Sequence, residues 1–297
     1  MHRFDYFTPN SLAETLDLLR AHGADAKVLA GGTDLVPQMK ERGRHPKAVV
    51  SLKNIDELRG IRFSAEGLTV GATTRFGVLQ RDPMVVPHYP IIVQTAKLIG
   101  SLQTQNLATI GGNICNAAPS ADAVPAFIIT DTVATIQGSN GSRTIPLTDV
   151  FQGPGRTAIA PDELLTALTV PVPLPRAAGI YIRHMPRKEL DIAIAGVGVY
   201  VQLDAAYDKI THARVCLASV GPTPLRATEA EAALLGQSAT DELFRHVGDI
   251  AARESQPITD HRGSAIFRRT LVRGLTQRTL SQAVETIRRE RLELEKG

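Results

Sequence analysis

Near the start of the chain the apolar residues recur with a helical period. Leu12, Leu16 and Leu19 lie four and three positions apart on one helix face, and Ser11 with Glu14 sets a Ser-x-x-Glu capping box in front of them. His22-Gly23 stops that helix. The period then shortens. KVLA (Lys27–Ala30) predicts a short strand, GGTD (Gly31–Asp34) a turn, LVPQMKER a helix with Pro37 near its start, and AVVSL (Ala48–Leu52) a second strand. Residues 1–55 therefore predict a small β–turn–α–β lobe.

Residues 56–176 predict a larger lobe. GLTVGATT (Gly67–Thr74) is a strand with a glycine kink, and Ile91–Ile99 is helical in pattern. TVATIQGSNGSRTIPL reads as two apolar runs folded back on a Gly/Ser/Asn turn, a β-hairpin. PVPLPR (Pro171–Arg176) punctuates the chain and predicts a linker. Residues 177–297 form the third region. AIAGVGVYVQLD and ARVCLASVG flank the turn-prone AAYDKITH and predict an antiparallel sheet. Helical patterns follow over Glu229–Leu235, Glu242–Glu254 and a long stretch that ends in the charged tail RRERLELEKG. The fold class is α+β, with no internal repeat.

Composition narrows the function without naming it. At 297 residues the chain can bury a core without a staple, and the length suits two or three domains. The formal net charge of +3 is small and not pooled, which argues against a nucleic-acid partner. The two cysteines, Cys115 and Cys216, belong to no Cys/His set with metal-ligand spacing, so a zinc or iron–sulfur site within this chain is not expected. MHRFDYFTPNSL has no apolar h-region, and no run approaches the roughly 20 apolar residues of a membrane helix. The expectation is a cytoplasmic protein with no membrane span. There is no Ser/His/Asp order, paired general acid and base, or His-Glu-x-x-His.

Two short segments share a design. AGGTD (Ala30–Asp34) follows a strand and precedes a helix; TIGGN (Thr109–Asn113) carries the same adjacent glycines, with a hydroxyl on one side. Glycine lets backbone approach a ligand closely and adopt positive φ, and consecutive bare N–H groups make a nest for phosphate oxygens. Two such nests suit a ligand with two adjacent phosphates, a dinucleotide. The competing reading is two ordinary turns, since neither segment is a Rossmann or Walker fingerprint.

AGGTDLVPQMK with TIGGNICNAAPSADAVPAF closely resembles the two flavin-binding segments of the molybdenum hydroxylase family, in its separate FAD-binding medium subunit. The resemblance continues through RKELDIAIAGVGV, SVGPTPLRATEAEAAL and DHRGSAIFRRTL, and so covers essentially the whole chain. It implies a two-lobed FAD-binding domain of the PCMH/vanillyl-alcohol-oxidase-like type, plus a C-terminal domain of antiparallel sheet and helices. FAD would lie extended between the lobes. Carried over by position, Lys27, Val28, Leu29, Ala30, Gly31, Gly32, Thr33 and Asp34 form one contact, and Thr109, Ile110, Gly111, Gly112 and Asn113 the other. Asp122 accepts hydrogen bonds from ligand hydroxyls, Leu165 is an apolar wall, and Arg183 lies near the flavin ring.

The resemblance also implies an oxidoreductase subunit. Electrons would come from [2Fe-2S] clusters of a small partner subunit, fed by a molybdenum cofactor in a large one, and leave for an external acceptor. The assembly would be a dimer of heterotrimers. One branch of the family holds an extra iron–sulfur cluster on a cysteine-bearing insertion; no such cysteine set occurs here. The rival readings are a free-standing FAD-dependent oxidoreductase and a structural subunit that has lost flavin. Three further residues are weighed singly. Cys115 reads as a small buried thiol. Asp191 reads as a structural cap more than a ligand, and His184, near Arg187 and Lys188, as a basic face or a contact. Arg262, Arg268 and Arg269 are candidates for salt bridges within the third region or to another subunit.

Overall fold

The computed structural model describes residues 2–187 and 191–295. Lys188 lies outside them.

The first lobe is a three-stranded parallel sheet in the order β1-β3-β2, built from β1 (Asp5–Phe7), β2 (Ala26–Leu29) and β3 (Ala48–Ser51). The fully buried β3 pairs Ala48 with both Asp5 and Ala26. Helix α1 (Leu12–His22) starts where the capping box places it: the Glu14 N–H donates to Ser11 Oγ at 3.1 Å, and the Glu14 carboxylate accepts from the Asn10 N–H at 2.8 Å. Its Leu16 and Leu19 join Val50, Ile55 and Leu58 in a small core. Helix α2 (Leu35–Glu41) connects β2 to β3.

The second lobe is a five-stranded antiparallel sheet in the order β4-β5-β10-β6-β7, from β4 (Ile61–Ser64), β5 (Gly67–Gly71), the hairpin β6 (Val133–Gly138) and β7 (Gly141–Pro146), and β10 (Leu164–Pro171). A two-stranded ribbon, β8 (Phe151–Gly153) and β9 (Arg156–Thr157), precedes β10. Six short helices separate β5 from β6: α3 (Phe76–Leu79), α4 (Val85–His88), α5 (Pro90–Ala96), α6 (Leu102–Gln105), α7 (Ile110–Asn116) and α8 (Val124–Ile129). The stretch TIGGNICNAAPSADAVP spans α7, a turn and the start of α8. Most of it is helix, and Pro125 sits in the first turn of α8, where its missing N–H costs nothing.

The third region packs α9 (Thr228–Leu234), α10 (Asp241–Glu254) and the 30-residue α11 (Ala265–Leu294) against a sheet of β11 (Ala177–His184), β12 (Ala195–Leu203), β13 (Ile210–Ala218) and β14 (Leu225–Arg226). Strand periodicity divides the sheet between two cores. Val197, Val199, Val201, Val215 and Leu217 face the helices of the third region, whereas Tyr181, Tyr200, Cys216 and Ala218 join the core of the second lobe. Polar links reinforce that seam. Asp131, in the turn after α8, accepts from Arg214 Nε at 2.8 and 2.9 Å, and Ser219 N–H donates to the Pro119 carbonyl at 2.9 Å. Among the described residues no helix is long and apolar enough to cross a membrane, and no group of His, Cys, Asp and Glu could hold a metal ion.

Candidate functional site

The three regions meet around one cleft of about 820 Å³. Lys27, Val28, Ala30, Gly31, Gly32, Thr33 and Asp34 form its first wall, and Thr109, Gly111, Gly112, Asn113, Asp122 and Leu165 its second. Arg183 reaches it from β11. Two of the expected residues do not line it. Ile110 is wholly buried in the core of the second lobe, and the Leu29 side chain packs beneath the glycine turn, where a methyl group on Gly32 would stand 3.1 Å from Leu29 Cδ1.

The glycines are needed for more than one reason. Gly32 has φ +73°, in the left-handed region that favours glycine. Gly31 does not; a methyl group there would drive into the Leu107 carbonyl. Gly111 likewise abuts Ala72, whose Cβ and carbonyl oxygen would each lie 2.7 Å from an added methyl group. Neither Gly111 nor Gly112 has positive φ. Gly31 and Gly111 therefore serve close approach to a neighbour, and Gly112 leaves room for Thr109 Oγ1, which an added methyl group would meet at 2.9 Å.

Accounting for the amides separates the two segments further. At Ile110–Asn113 every N–H has an internal acceptor: Thr74 O at 3.0 Å, Ala72 O at 2.8 Å, Thr109 Oγ1 at 3.2 Å and Thr109 O at 3.0 Å in turn. The expectation of a second nest of bare amides is corrected by these bonds, because Thr109 caps α7 with its side chain. At Gly31, Gly32, Thr33 and Asp34 the N–H groups have no acceptor among the described residues. Main-chain donors thus come from the first wall. The second wall offers side chains, including Asn113 Oδ1, which is buried with no partner.

Electrostatics grade along the cleft. At one end Arg42 and Arg44 stand beside Lys27 and Asp34; burial, then Arg44, pushes the Lys27 ammonium down, and burial pushes the Asp34 carboxyl up against the pull of Arg42. Here Gln38 links the walls: its Nε2 donates to Asn116 Oδ1 at 3.0 Å while its Oε1 accepts from Arg44 at 2.7 Å. Further along, Asp122 is 8% exposed; its Oδ1 accepts from the Tyr181 hydroxyl at 2.8 Å and its Oδ2 pairs with Arg183. Burial pushes the Asp122 carboxyl up, and Arg183 and Tyr181 oppose it. Arg183 Nε is buried with no partner. Sequence reasoning missed Gln38, Arg42, Arg44, Asn116 and Tyr181. The charges of Arg42 and Arg44 were visible; that Tyr181 faces Asp122 depends on a contact 59 residues apart.

Cys115, expected to be buried, is instead exposed where it opens onto the cleft, and the protein atoms around it push its thiol up to about 12. Asp191 lines the cleft and accepts from the Ile192 N–H at 2.8 Å, Arg187 at 3.2 Å and Arg262 at 3.2 Å. The backbone bond is the first cause holding its carboxyl below its usual range. His184 meets Phe267 edge-on at 6.0 Å, off the cleft. Arg268 is buried, donating to Ile194 O, Ser219 O and Asp260, so it ties α11 to the sheet; Arg269 is exposed.

Comparison with known proteins shows the family and the fold. Residues 2–173 match the family described as FAD binding domain in molybdopterin dehydrogenase, and residues 180–283 that described as CO dehydrogenase flavoprotein C-terminal domain. The chain is 33% identical over 281 residues to the carbon monoxide dehydrogenase medium chain of Hydrogenophaga pseudoflava, covering 95% of this chain and 97% of that one. It is 31% identical to a putative xanthine dehydrogenase FAD-binding subunit of Escherichia coli, covering 94% and 95%. Among solved structures, carbon monoxide dehydrogenase from Hydrogenophaga pseudoflava superposes with TM-score 0.92 at 34% identity, over 96% of this chain and 98% of that one. Quinoline 2-oxidoreductase from Pseudomonas putida gives TM-score 0.90 at 26% identity, over 96% and 98%.

Proposed function

We propose a function from one premise: the chain belongs to the molybdenum hydroxylase family, as an FAD-binding medium subunit of an oxidoreductase. The premise fixes the cofactor as FAD, and the partner subunits of this family carry the molybdenum cofactor and iron–sulfur clusters. The finer reading is that this subunit receives electrons from a small iron–sulfur partner, which a large molybdenum partner supplies, and delivers them to an external acceptor. A dimer of heterotrimers is the proposed assembly.

The residues of the cleft fit the cofactor. Four adjacent unpaired N–H groups at Gly31–Asp34 suit diphosphate oxygens, and the orphaned Asn113 Oδ1 and Arg183 Nε each want a polar partner in the same cleft. Lys27 adds charge, Asp122 offers carboxylate lone pairs to hydroxyls, and the buried Leu165 presents an apolar wall. FAD, when bound, supplies the ability to take electrons singly and release them in pairs. The chain supplies binding, orientation and a fixed electrostatic setting for the cofactor's chemistry.

The observation that carries the reading is the run of free amides at Gly31–Asp34 facing Asn113 and Arg183 across one cleft. The test is to co-purify the full chain with its companion subunits, then follow flavin absorbance as substrate is added. The expected result is one FAD per chain, bleached only when the partners are present. A flavin-free preparation that takes up no added FAD overturns the reading, and bleaching by substrate in the isolated chain replaces it with a free-standing oxidoreductase.

A further inference from the structure

We infer that Tyr181 is a positioning residue for the cofactor: its hydroxyl fixes the Asp122 carboxylate in the rotamer that presents Arg183 to the cleft. The inference rests on the reading of the cleft as an FAD site.

The arrangement begins with strand periodicity. Tyr181 and Arg183 are two residues apart on β11, so both side chains leave the same face. Opposite them on β12 the register places Gly198 against Tyr181 and Gly196 against Arg183. At these two positions β12 carries no side chain. A methyl group on Gly196 would collide with the Tyr181 hydroxyl, and one on Gly198 would stand 3.6 Å from Tyr181 Cδ2 and 3.3 Å from Pro125 Cβ. The Ala-Gly-Val-Gly-Val run thus leaves a trough along which the phenol ring lies flat and reaches Asp122. The ring is 2% exposed, so its direction is set by packing.

The hydroxyl then has one task. It donates to Asp122 Oδ1 at 2.8 Å, while Arg183 takes Oδ2. With both oxygens engaged the carboxylate cannot rotate without breaking a buried, charge-assisted bond. The guanidinium is held in turn by its pairing with Asp122, leaving Nε with no protein partner in a residue that lines the cleft. Burial and the adjacent carboxylate keep the phenol protonated, so it acts as a donor throughout. The charged and titratable groups around Asp122 are Tyr181 and Arg183 from β11 and, beyond the phenol, the buried Cys216 thiol from β13, which burial keeps neutral.

The test uses the full chain and FAD titrated by fluorescence across a pH series. Losing one hydrogen bond to a buried charge predicts that Tyr181→Phe weakens FAD about tenfold at neutral pH. Without the phenol the carboxyl protonates more readily, so the acid limb of FAD affinity moves to higher pH. Replacing Tyr181 with 3-fluorotyrosine, a stronger donor of nearly the same volume, moves that limb the other way and covers the case in which the Phe variant melts early. In an Asp122→Asn background, Tyr181→Phe has little further effect on FAD, because the two groups act as a unit. Additive losses from Tyr181→Phe and Asp122→Asn, or an acid limb unmoved by either tyrosine change, overturn the inference while leaving the FAD site standing. A wild-type chain that binds no FAD removes the reading beneath it instead.

Discussion

At the scale of single residues, the cleft is shaped as much by what is missing as by what is present. Gly31→Ala puts a methyl group into the Leu107 carbonyl, and such overpacking costs about 1–3 kcal/mol. Thermal melts and FAD content should fall together, because the same movement tilts the Gly31–Asp34 amides. Glu163 gives a pH prediction. It lines the cleft and accepts from Arg143 at 2.8 and 2.7 Å, and this pairing holds its carboxyl below the usual range. A carboxyl whose folded pKa lies below its unfolded one contributes stability that is complete above the unfolded value and is lost as pH falls through the folded one. Glu163→Gln should therefore lower the melting temperature at neutral pH and flatten its decline toward acid pH; parallel slopes for the two proteins would contradict the assignment.

At the scale of elements, α7 holds the second wall. It is seven residues long and carries Gly-Gly-Asn, a poor helix on its own, so it depends on its cap and on the strand and loop it packs against. Thr109→Ala removes the cap that Gly112 N–H bonds to, at about 1 kcal/mol, and should weaken FAD measurably, whereas Thr109→Ser keeps both. Retained affinity in the alanine variant would show that α7 is held by its neighbours alone. The same helix shows where reading from sequence stops. Helices announced by a capping residue and an apolar stripe, such as α1, were plain, and so was the β6–β7 hairpin with its Gly/Ser/Asn turn. Strands β10 and β11 were not, because each gives residues to two cores, Leu164 and Leu168 on β10 and Ala178 and Tyr181 on β11, which erases the alternation that marks a strand. The glycine pair was visible at Gly111-Gly112. The backbone at Ala72 and the cap at Thr109, which decide its role, are contacts that only folding reveals.

At the scale of the whole molecule, the third region is part of the site. Asp131 joins Arg214 and Arg226 across the seam, and the sheet it anchors carries Arg183 into the cleft. The pair is partly exposed, so Asp131→Ala should cost about 1 kcal/mol in a melt of the cofactor-free chain. Its larger effect should fall on FAD affinity, and an unchanged affinity would mean that the sheet is seated by apolar packing alone. The cleft is walled by residues 27–34 of the first lobe, by residues 109–122 of the second, and by Arg183, Asp191 and Ile192 of the third region. A ligand spanning all three works like a rivet through stacked plates. It favours the folded state in proportion to the logarithm of its concentration over its dissociation constant. The cofactor-free chain should come apart sheet by sheet in a broad calorimetric trace, and the loaded chain in one sharp step. Flavin supply would then set how long newly made subunits survive proteolysis before assembly.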